Sequence, residues 1–181
     1  MTKATVWWNG PSVKQFYNIA PQPMEIGCNF IQDHRHVHHV CAYDQPTIKS
    51  IGGDTRPDVQ YWTRRMYQQG PWRTFRSTVS HKRQRHIAGY CSGTMALVLA
   101  IQQGVAEIDL LGCDWTITND SVYDDKYTWR KYAPTKHNRE KFNLFEMLSE
   151  LVAITVVHDQ PRAVLGPHVR YVDTKDYLAR H

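Results

Sequence analysis

The sequence lacks the long apolar run that a membrane protein needs. Its longest uninterrupted apolar stretch covers residues 95–101, whereas a membrane-spanning helix requires about 20 residues. The opening residues, MTKATVWWNGPS, also lack the charged start, apolar stretch and cleavage site of a secretory signal. We therefore expect a soluble, cytoplasmic protein without a membrane span.

Cysteine is scarce and is not arranged in pairs. None of the four cysteines, Cys28, Cys41, Cys91 and Cys113, belongs to a C-x-x-C motif, the spacing that commonly marks structural zinc sites. Each lies at or beside a segment with the pattern of a strand or a strand end. Free thiols in a reducing compartment are the simplest interpretation, with a zinc site as the alternative.

The overall composition is that of a folded domain. The chain has 181 residues, of which 41% are hydrophobic and 22% charged, which excludes disordered, collagen-like and coiled-coil chains. No internal repeat or linker divides it. This length predicts one domain over residues 1–181.

The positive charge is concentrated in one segment. Residues 56–86 contain eight Lys/Arg and one acidic residue, whereas the rest of the chain has 14 Lys/Arg and 16 Asp/Glu. Local basicity indicates a binding site for phosphates. Because Trp and Tyr are interleaved with the arginines, the segment also suits single-stranded nucleic acid, a lid over a nucleotide, or a solvated face.

Strand-like and helix-like segments alternate along the chain. This alternation predicts an α/β fold: a single Rossmann-like domain with a mainly parallel twisted sheet flanked by helices. We expect residues 54–88 to form a basic aromatic insertion, loop-rich with one short helix, and residues 116–137 a lid loop. The predicted strands cover residues 4–8, 24–29, 38–43, 107–111, 153–157 and 168–172, and helices are expected from Ser12, over 92–103 and over 138–151.

Small and polar residues follow several of these strands. Asn9-Gly10-Pro11-Ser12 comes after the first strand, with Ser12 as the expected helix N-cap, and Ser92 or Thr94 is the expected cap of the second helix. Ligands of open α/β sheets bind beyond the carboxyl ends of strands, where helix N-termini favour anions. We predict a nucleotide site there, although such residues also serve as ordinary turns and caps. The candidate binding residues are Asn9, Gly10, Ser12, Asn29, Asp44, Ser92, Gly93, Thr94 and Asp114.

The loop at 116–137 carries residues suited to phosphate chemistry. Tyr123, Tyr127 and Tyr132 precede Lys136-His137. A phenol can donate a hydrogen bond to a departing phosphate, and a histidine can take a proton near neutral pH. The alternative is that the tyrosines are packing anchors and that His137 only begins a helix.

A histidine-rich segment lies at residues 34–39. On an extended strand, His34, His36 and His38 would share one face and could bind a divalent metal. Asp33 is the one carboxylate close in sequence, so a solvated edge is the favoured interpretation and no metal ligand is predicted.

The order of these motifs resembles that of a known family. W-N-G-P-S-V-K at 8–14, G-C-N at 27–29, C-A-Y-D at 41–44, Ser92-Gly93 and G-V-A-E-I-D-L-L-G-C-D at 104–114 follow one another, and a tyrosine-bearing loop and a histidine come next. In this order they resemble the small bacterial sialyltransferases that modify lipooligosaccharide, and the related domain of 6-hydroxymethylpterin diphosphokinase-like proteins. The chain departs from that pattern in its short length, in Asp44 at an expected Asn, and in its basic middle.

The resemblance implies a metal-independent, inverting glycosyltransferase that uses a CMP-type sugar donor and needs no further cofactor. It implies that His137 acts as the general base on a hydroxyl acceptor and that Tyr123 and Tyr132 hydrogen-bond the departing phosphate. The nucleotide would be held by Asn9, Gly10, Asn29, Ser92 and Gly93.

Three alternatives stay open at the level of sequence. The first is a Mg²⁺-dependent pyrophosphokinase-like transferase that uses Asp44 and Asp114. The second is a non-catalytic protein that binds nucleic acid or another polyanion through residues 56–86. The third is a phage or mobile-element protein that uses the fold for another purpose. The acceptor and the oligomeric state, a homo-oligomer included, are not specified.

Overall fold

All eight strands of the structure pair in parallel within one sheet. This computed structural model describes residues 2–64, 70–75, 91–114, 144–159 and 168–181. The strand order is β5-β4-β3-β2-β1-β6-β7-β8, which confirms the predicted α/β, Rossmann-like fold. The strands are β1 (Lys3–Trp7), β2 (Glu25–Cys28), β3 (His39–Cys41), β4 (Gln60–Arg64), β5 (Trp72–Phe75), β6 (Glu107–Leu111), β7 (Ala153–Val157) and β8 (Val169–Val172).

Helical segments cover both faces of this sheet. Alternate residues of β1 point to opposite sides, so Ala4 and Val6 join one core cluster and Trp7 joins the other. Burial on both faces is typical of parallel sheets. The segments are the 3₁₀ turns Pro11–Phe16 and Ile31–Asp33 and the helices α1 (Gln45–Ile51), α2 (Ser92–Gln102), α3 (144–149) and α4 (Thr174–Leu178). Within the described ranges, no helix has both the length and the hydropathy to cross a bilayer.

In the described part of the basic middle, the chain forms two sheet strands where a loop-rich insertion with one short helix was expected. In β4 and β5, Tyr61 pairs with Trp72, and the two buried rings lie 5.2 Å apart. These strands are short and their aromatic residues pack on both faces, which removes the polar–apolar alternation that identifies a half-buried strand. Residues 65–69 and 76–90 lie outside the described ranges.

A buried ion pair stabilises the amino-terminal edge of the sheet. The Arg35 guanidinium donates to both carboxylate oxygens of Glu25, through Nε at 2.5 Å and Nη2 at 2.6 Å. Both side chains are more than nine-tenths buried. The remaining Arg35 donors bind the carbonyl oxygens of residues 17, 19 and 20. All five N–H groups of the guanidinium are therefore used, as burial of a charge requires.

Candidate functional site

The strand order reverses at β1, and four of the nine predicted binding residues, Asn9, Gly10, Ser12 and Asp114, lie at this reversal. Strands β2 to β5 lie on one side of β1, and β6 to β8 lie on the other. We call the carboxyl ends of β1 and β6, with residues 8–12 and 112–114, the switch edge. In open α/β sheets this is the position at which ligands bind.

The turn after β1 packs directly on the turn after β6. The Trp8 amide donates to the Leu111 carbonyl at 2.8 Å, and the Gly10 amide donates to the Gly112 carbonyl at 2.9 Å. A Cβ atom on Gly10 would come within 2.5 Å of both the Gly112 oxygen and Asp114 Cγ. Position 10 therefore needs glycine for close approach, and residues about 100 positions apart in sequence share one surface.

Ser12 does not cap the helix, as the sequence pattern predicted, but binds Asp114. The N-cap is Gly10, and a 3₁₀ turn follows it. The Ser12 amide donates to Asp114 Oδ2 at 2.6 Å, and its hydroxyl donates to Oδ1 at 2.5 Å. A carboxylate that accepts both donors replaces the local cap, and so the turn is fixed by a tertiary contact.

His158 is a further member of this cluster, which was not predicted from the sequence. It follows β7, and its Nε2 lies 3.5 Å from Asp114 Oδ1, with both side chains largely buried. Burial alone would raise the pKa of Asp114, but hydrogen bonds from His158 and Ser12 together lower it below its ordinary value. The signal was available, because His158-Asp159 is a polar pair that directly follows a predicted strand.

The start of α2 contacts the same edge. A Cβ atom on Gly93 would come within 2.4 Å of the Trp8 ring, so glycine lets the helix approach β1. Ser92 Oγ accepts the Tyr43 amide at 3.0 Å and thereby ties α2 to the end of β3. The contact between residues 8 and 93 places the two predicted glycine-containing turns on one side of the molecule.

The N-cap of α2 is Cys91, not Ser92 or Thr94. Thr94 occupies the third helical position, and its Oγ1 accepts the Cys91 amide at 2.8 Å. The Cys91 side chain in turn accepts the Thr94 amide, which completes a capping box. Thr94 is fully buried, so it stabilises the helix start and is not placed on the surface.

Asn29 and Asp44 lie at the ends of β2 and β3. Asn29 is buried and has a φ of 52°, a left-handed conformation that Asn tolerates better than most residues. The main-chain amide of Asn29 donates to the Cys41 carbonyl at 2.9 Å. Asp44 is exposed at the N-cap position of α1, and its side chain makes no capping hydrogen bond. The Asp44-Gln45-Pro46 sequence, which follows the predicted strand 38–43, therefore begins a helix that was not predicted.

An arginine–tyrosine stack adjoins the start of α2. Arg64, the last residue of β4, lies over the Tyr43 ring with its guanidinium carbon 4.2 Å from the ring centroid. Because the Tyr43 amide also binds Ser92, this pair is next to the α2 N-terminus. Arg64 belongs to the basic segment 56–86, and its contact with Tyr43 was not predicted from the sequence.

The histidine-rich segment is not the extended strand on which a shared histidine face would depend. His34 follows a 3₁₀ turn and stacks on Tyr17, while β3 begins only at His39. His39 is buried and accepts the Trp62 indole N–H, and burial lowers its pKa to about 4. Among the described residues, no group of three or more His, Cys, Asp or Glu side chains is arranged to hold a metal ion.

The four cysteines are free thiols, with Cys28, Cys41 and Cys113 buried and Cys91 half-buried. Cys28 and Cys41 lie opposite each other in the register of β2 and β3. Burial raises the pKa of both thiols, so they are neutral core groups.

The predicted catalytic residues His137, Tyr123 and Tyr132 lie outside the described residues. The loop at 116–137 that carries them lies outside these residues as well.

Solved structures of a sialyltransferase are similar to this chain in fold. CstII from Campylobacter jejuni, in complex with the substrate analogue CMP-3FNeuAc, is 14% identical, with 86% of this chain and 80% of that chain covered and a TM-score of 0.45. CST-II in complex with a trisaccharide acceptor and CMP is 12% identical, with coverage of 97% and 88% and a TM-score of 0.46. A point mutant of α-2,3/8-sialyltransferase CstII is 14% identical, with the same coverage and a TM-score of 0.47. No protein-family model matches the chain, and the search of curated proteins found no match.

Proposed function

We propose that this protein is a nucleotide-dependent transferase that moves a glycosyl group from a cytidine-type donor to a hydroxyl acceptor. One observation carries the proposal: the Asn9–Gly10 turn, the Ser92–Gly93 helix start and Asp114 converge on the switch edge. This arrangement, at a reversal of strand order, is where α/β proteins bind nucleotides. The motif order described above favours a cytidine donor over other nucleotides.

The hydroxyl groups at this edge form hydrogen bonds within the protein. A nucleotide would therefore be contacted mainly by other groups. Ser12 donates to Asp114, Ser92 accepts from Tyr43, and Thr94 accepts from Cys91. We assign these three residues to shaping the site. In the proposal, the donor is contacted by the side chains of Asn9 and Asn29 and by main-chain amides at the start of α2, which favour a phosphate.

The proposed chemistry is a single displacement with inversion. His137 removes the proton from the acceptor hydroxyl, whose oxygen bonds to the anomeric carbon as the bond to the phosphate oxygen breaks. Tyr123 and Tyr132 donate hydrogen bonds to the phosphate as the nucleoside monophosphate leaves. These donors would stabilise the developing charge without a metal ion.

The alternative Mg²⁺-dependent reaction would use Asp114 as a ligand, and its contacts argue against that role. Both of its oxygens accept hydrogen bonds from Ser12, and Oδ1 also faces His158. A magnesium ligand needs a carboxylate oxygen directed at the ion. We therefore retain the glycosyltransferase proposal as the principal one.

Calorimetric titration with CMP, UMP, AMP and GMP tests the nucleotide site. The proposal expects CMP to bind most tightly, and it expects Asn9→Ala to weaken CMP binding by about tenfold, the loss of one or two hydrogen bonds to a charged group. Asn18→Ala, at an exposed position beyond the 3₁₀ turn, is the matched control. Absence of binding to all four nucleotides would refute the proposal.

Turnover is then tested with CMP-sugars and simple glycoside acceptors, with CMP release as the readout and with EDTA present. His137→Ala should abolish release while CMP affinity is retained, because the proposed base touches the acceptor and not the nucleotide. An equal loss of binding and turnover would contradict the role assigned to His137.

A further inference from the structure

His158, Asp114 and Ser12 form a cluster that joins three parts of the switch edge. Asp114 follows β6, His158 follows β7, and Ser12 lies in the turn after β1. The His158 backbone is itself fixed, because its amide donates to the Val172 carbonyl of β8 at 3.0 Å. The imidazole therefore approaches Asp114 from a residue whose main chain is hydrogen-bonded to the sheet.

Asp114 is the member that determines the geometry of the turn. Only 6% of its side chain is exposed, and it accepts both the amide and the hydroxyl of Ser12. Its Cγ also packs against Gly10, since it would lie only 2.5 Å from a Cβ atom at that position. Any movement of this carboxylate would therefore move Ser12 and Gly10 with it.

A buried carboxylate keeps its charge only if neighbouring groups compensate for the lost solvation. His158 supplies a positive charge when it is protonated, and the pair is then neutral. When His158 is neutral, the cluster carries one negative charge at an edge proposed to receive a phosphate. The affinity of an anion at this edge should depend on that charge.

We propose that His158 is a positioning residue of this site: in its protonated form it holds Asp114, and through it Ser12 and Gly10, in the geometry that accepts an anionic nucleotide. The proposal rests on the proposed function for its ligand. It differs from that function in assigning a role to a residue that follows β7. It gives a concrete expectation, namely that nucleotide affinity falls as the pH rises through the titration of His158.

Other charged groups on the neighbouring elements have separate partners or are exposed. Asp159 Oδ1 accepts the Thr174 amide and Asp173 Oδ1 accepts the Lys175 amide at the start of α4. Asp159, Asp173, Lys175 and Lys14, which is on the 3₁₀ turn after β1, are all exposed. Carboxylates and lysines keep their charge through the pH range in which a histidine ordinarily titrates. Their effect on the nucleotide affinity is therefore the same at every pH in this range.

The test uses cytidine 5′-methyl phosphate, because the single charge of a phosphodiester does not change near neutral pH. Calorimetry at about pH 5.5 and about pH 7.5 brackets the ordinary histidine pKa of about 6.5. We expect the wild type to bind at least about threefold more weakly at the higher pH, the effect of one unit charge near the phosphate. His158→Gln, which keeps an N–H donor, should lose this difference. His168→Gln, at an exposed residue before β8, should retain it.

A second measurement needs no ligand. The hydrogen-exchange protection factor of the Ser12 amide should fall in the wild type as the pH rises through the His158 titration. In His158→Leu the protection factor should be lower than in the wild type at both pH values. In His158→Gln it should not depend on pH. If the wild type does not bind the nucleotide at either pH, the proposed function fails, and Ser12 protection still decides the role of His158. Protection that does not depend on pH in the wild type, or an unchanged pH profile in His158→Gln, would overturn the proposal.

Discussion

Replacement of Gly10 by alanine tests the packing that joins the turn after β1 to the turn after β6. The new Cβ would lie 2.5 Å from the Gly112 oxygen and 2.5 Å from Asp114 Cγ, far inside van der Waals contact. The backbone angles of Gly10, φ −64° and ψ 152°, are ordinary for alanine. The loss of stability in the variant therefore comes from the close contacts alone. One neighbour is backbone and the other is held by Ser12, so neither can move independently. We expect a loss of about 1–3 kcal/mol in the free energy of unfolding.

This loss should lower the melting temperature by about 2–12 °C, given about 2–4 °C per kcal/mol for a chain of this size. Urea and thermal unfolding followed by circular dichroism measure it. Gly53→Ala is the matched control, because nothing lies within 4 Å of a Cβ atom at that position. The control should be neutral or more stable by up to about 1 kcal/mol, since alanine restricts the unfolded chain. If the two variants unfold within about 0.5 kcal/mol of each other, the close approach of the two turns is refuted.

Two further substitutions test the burial of charge and of a neutral histidine. Arg35→Met should cost about 3–5 kcal/mol in urea unfolding, because it leaves Glu25 buried without its cation, and a second change, Glu25→Gln, should restore part of the loss. His39, whose pKa burial lowers to about 4, binds a proton more readily when unfolded. Stability should therefore fall as the pH drops from about 6.5 to 4, by up to about 3 kcal/mol. His39→Asn should flatten this fall, whereas His34→Asn, an exposed control, should not; equal profiles in the two variants would contradict the assigned cause.

The central strands could be predicted from sequence because local signals specify them. The residues of β1, β6 and β7 form short apolar runs that end at Asn, Gly or His. The helix predicted over 92–103, directly before the strand at 107–111, supplied the crossover connection that is typical of parallel strands. The end of α2 was equally clear, since Gly104 adopts the left-handed conformation, with φ 77°, that closes a helix.

The parts that could not be predicted depend on contacts between distant residues. Ser12 has the sequence context of a helix cap, and only the fold brings Asp114, 102 positions away, to its hydroxyl. Ser92 was likewise assigned to a cap, but its partner is the amide of Tyr43 on another strand. In both cases the hydrogen-bond partner is a residue distant in sequence and not a local backbone group. The local sequence does not specify which distant group this is.

The same long-range bonds suggest how binding and catalysis are divided in the proposed enzyme. Ser12 and Ser92 use their hydroxyls to join β1 to β6 and β3 to α2, so this edge is ordered before any ligand arrives. Binding there would not have to order these groups, which improves affinity. The residues proposed to act on the phosphate and the acceptor, including His137, belong instead to the separate segment 116–137. Substitutions at the switch edge should therefore change nucleotide affinity and stability together, whereas His137→Ala should change turnover.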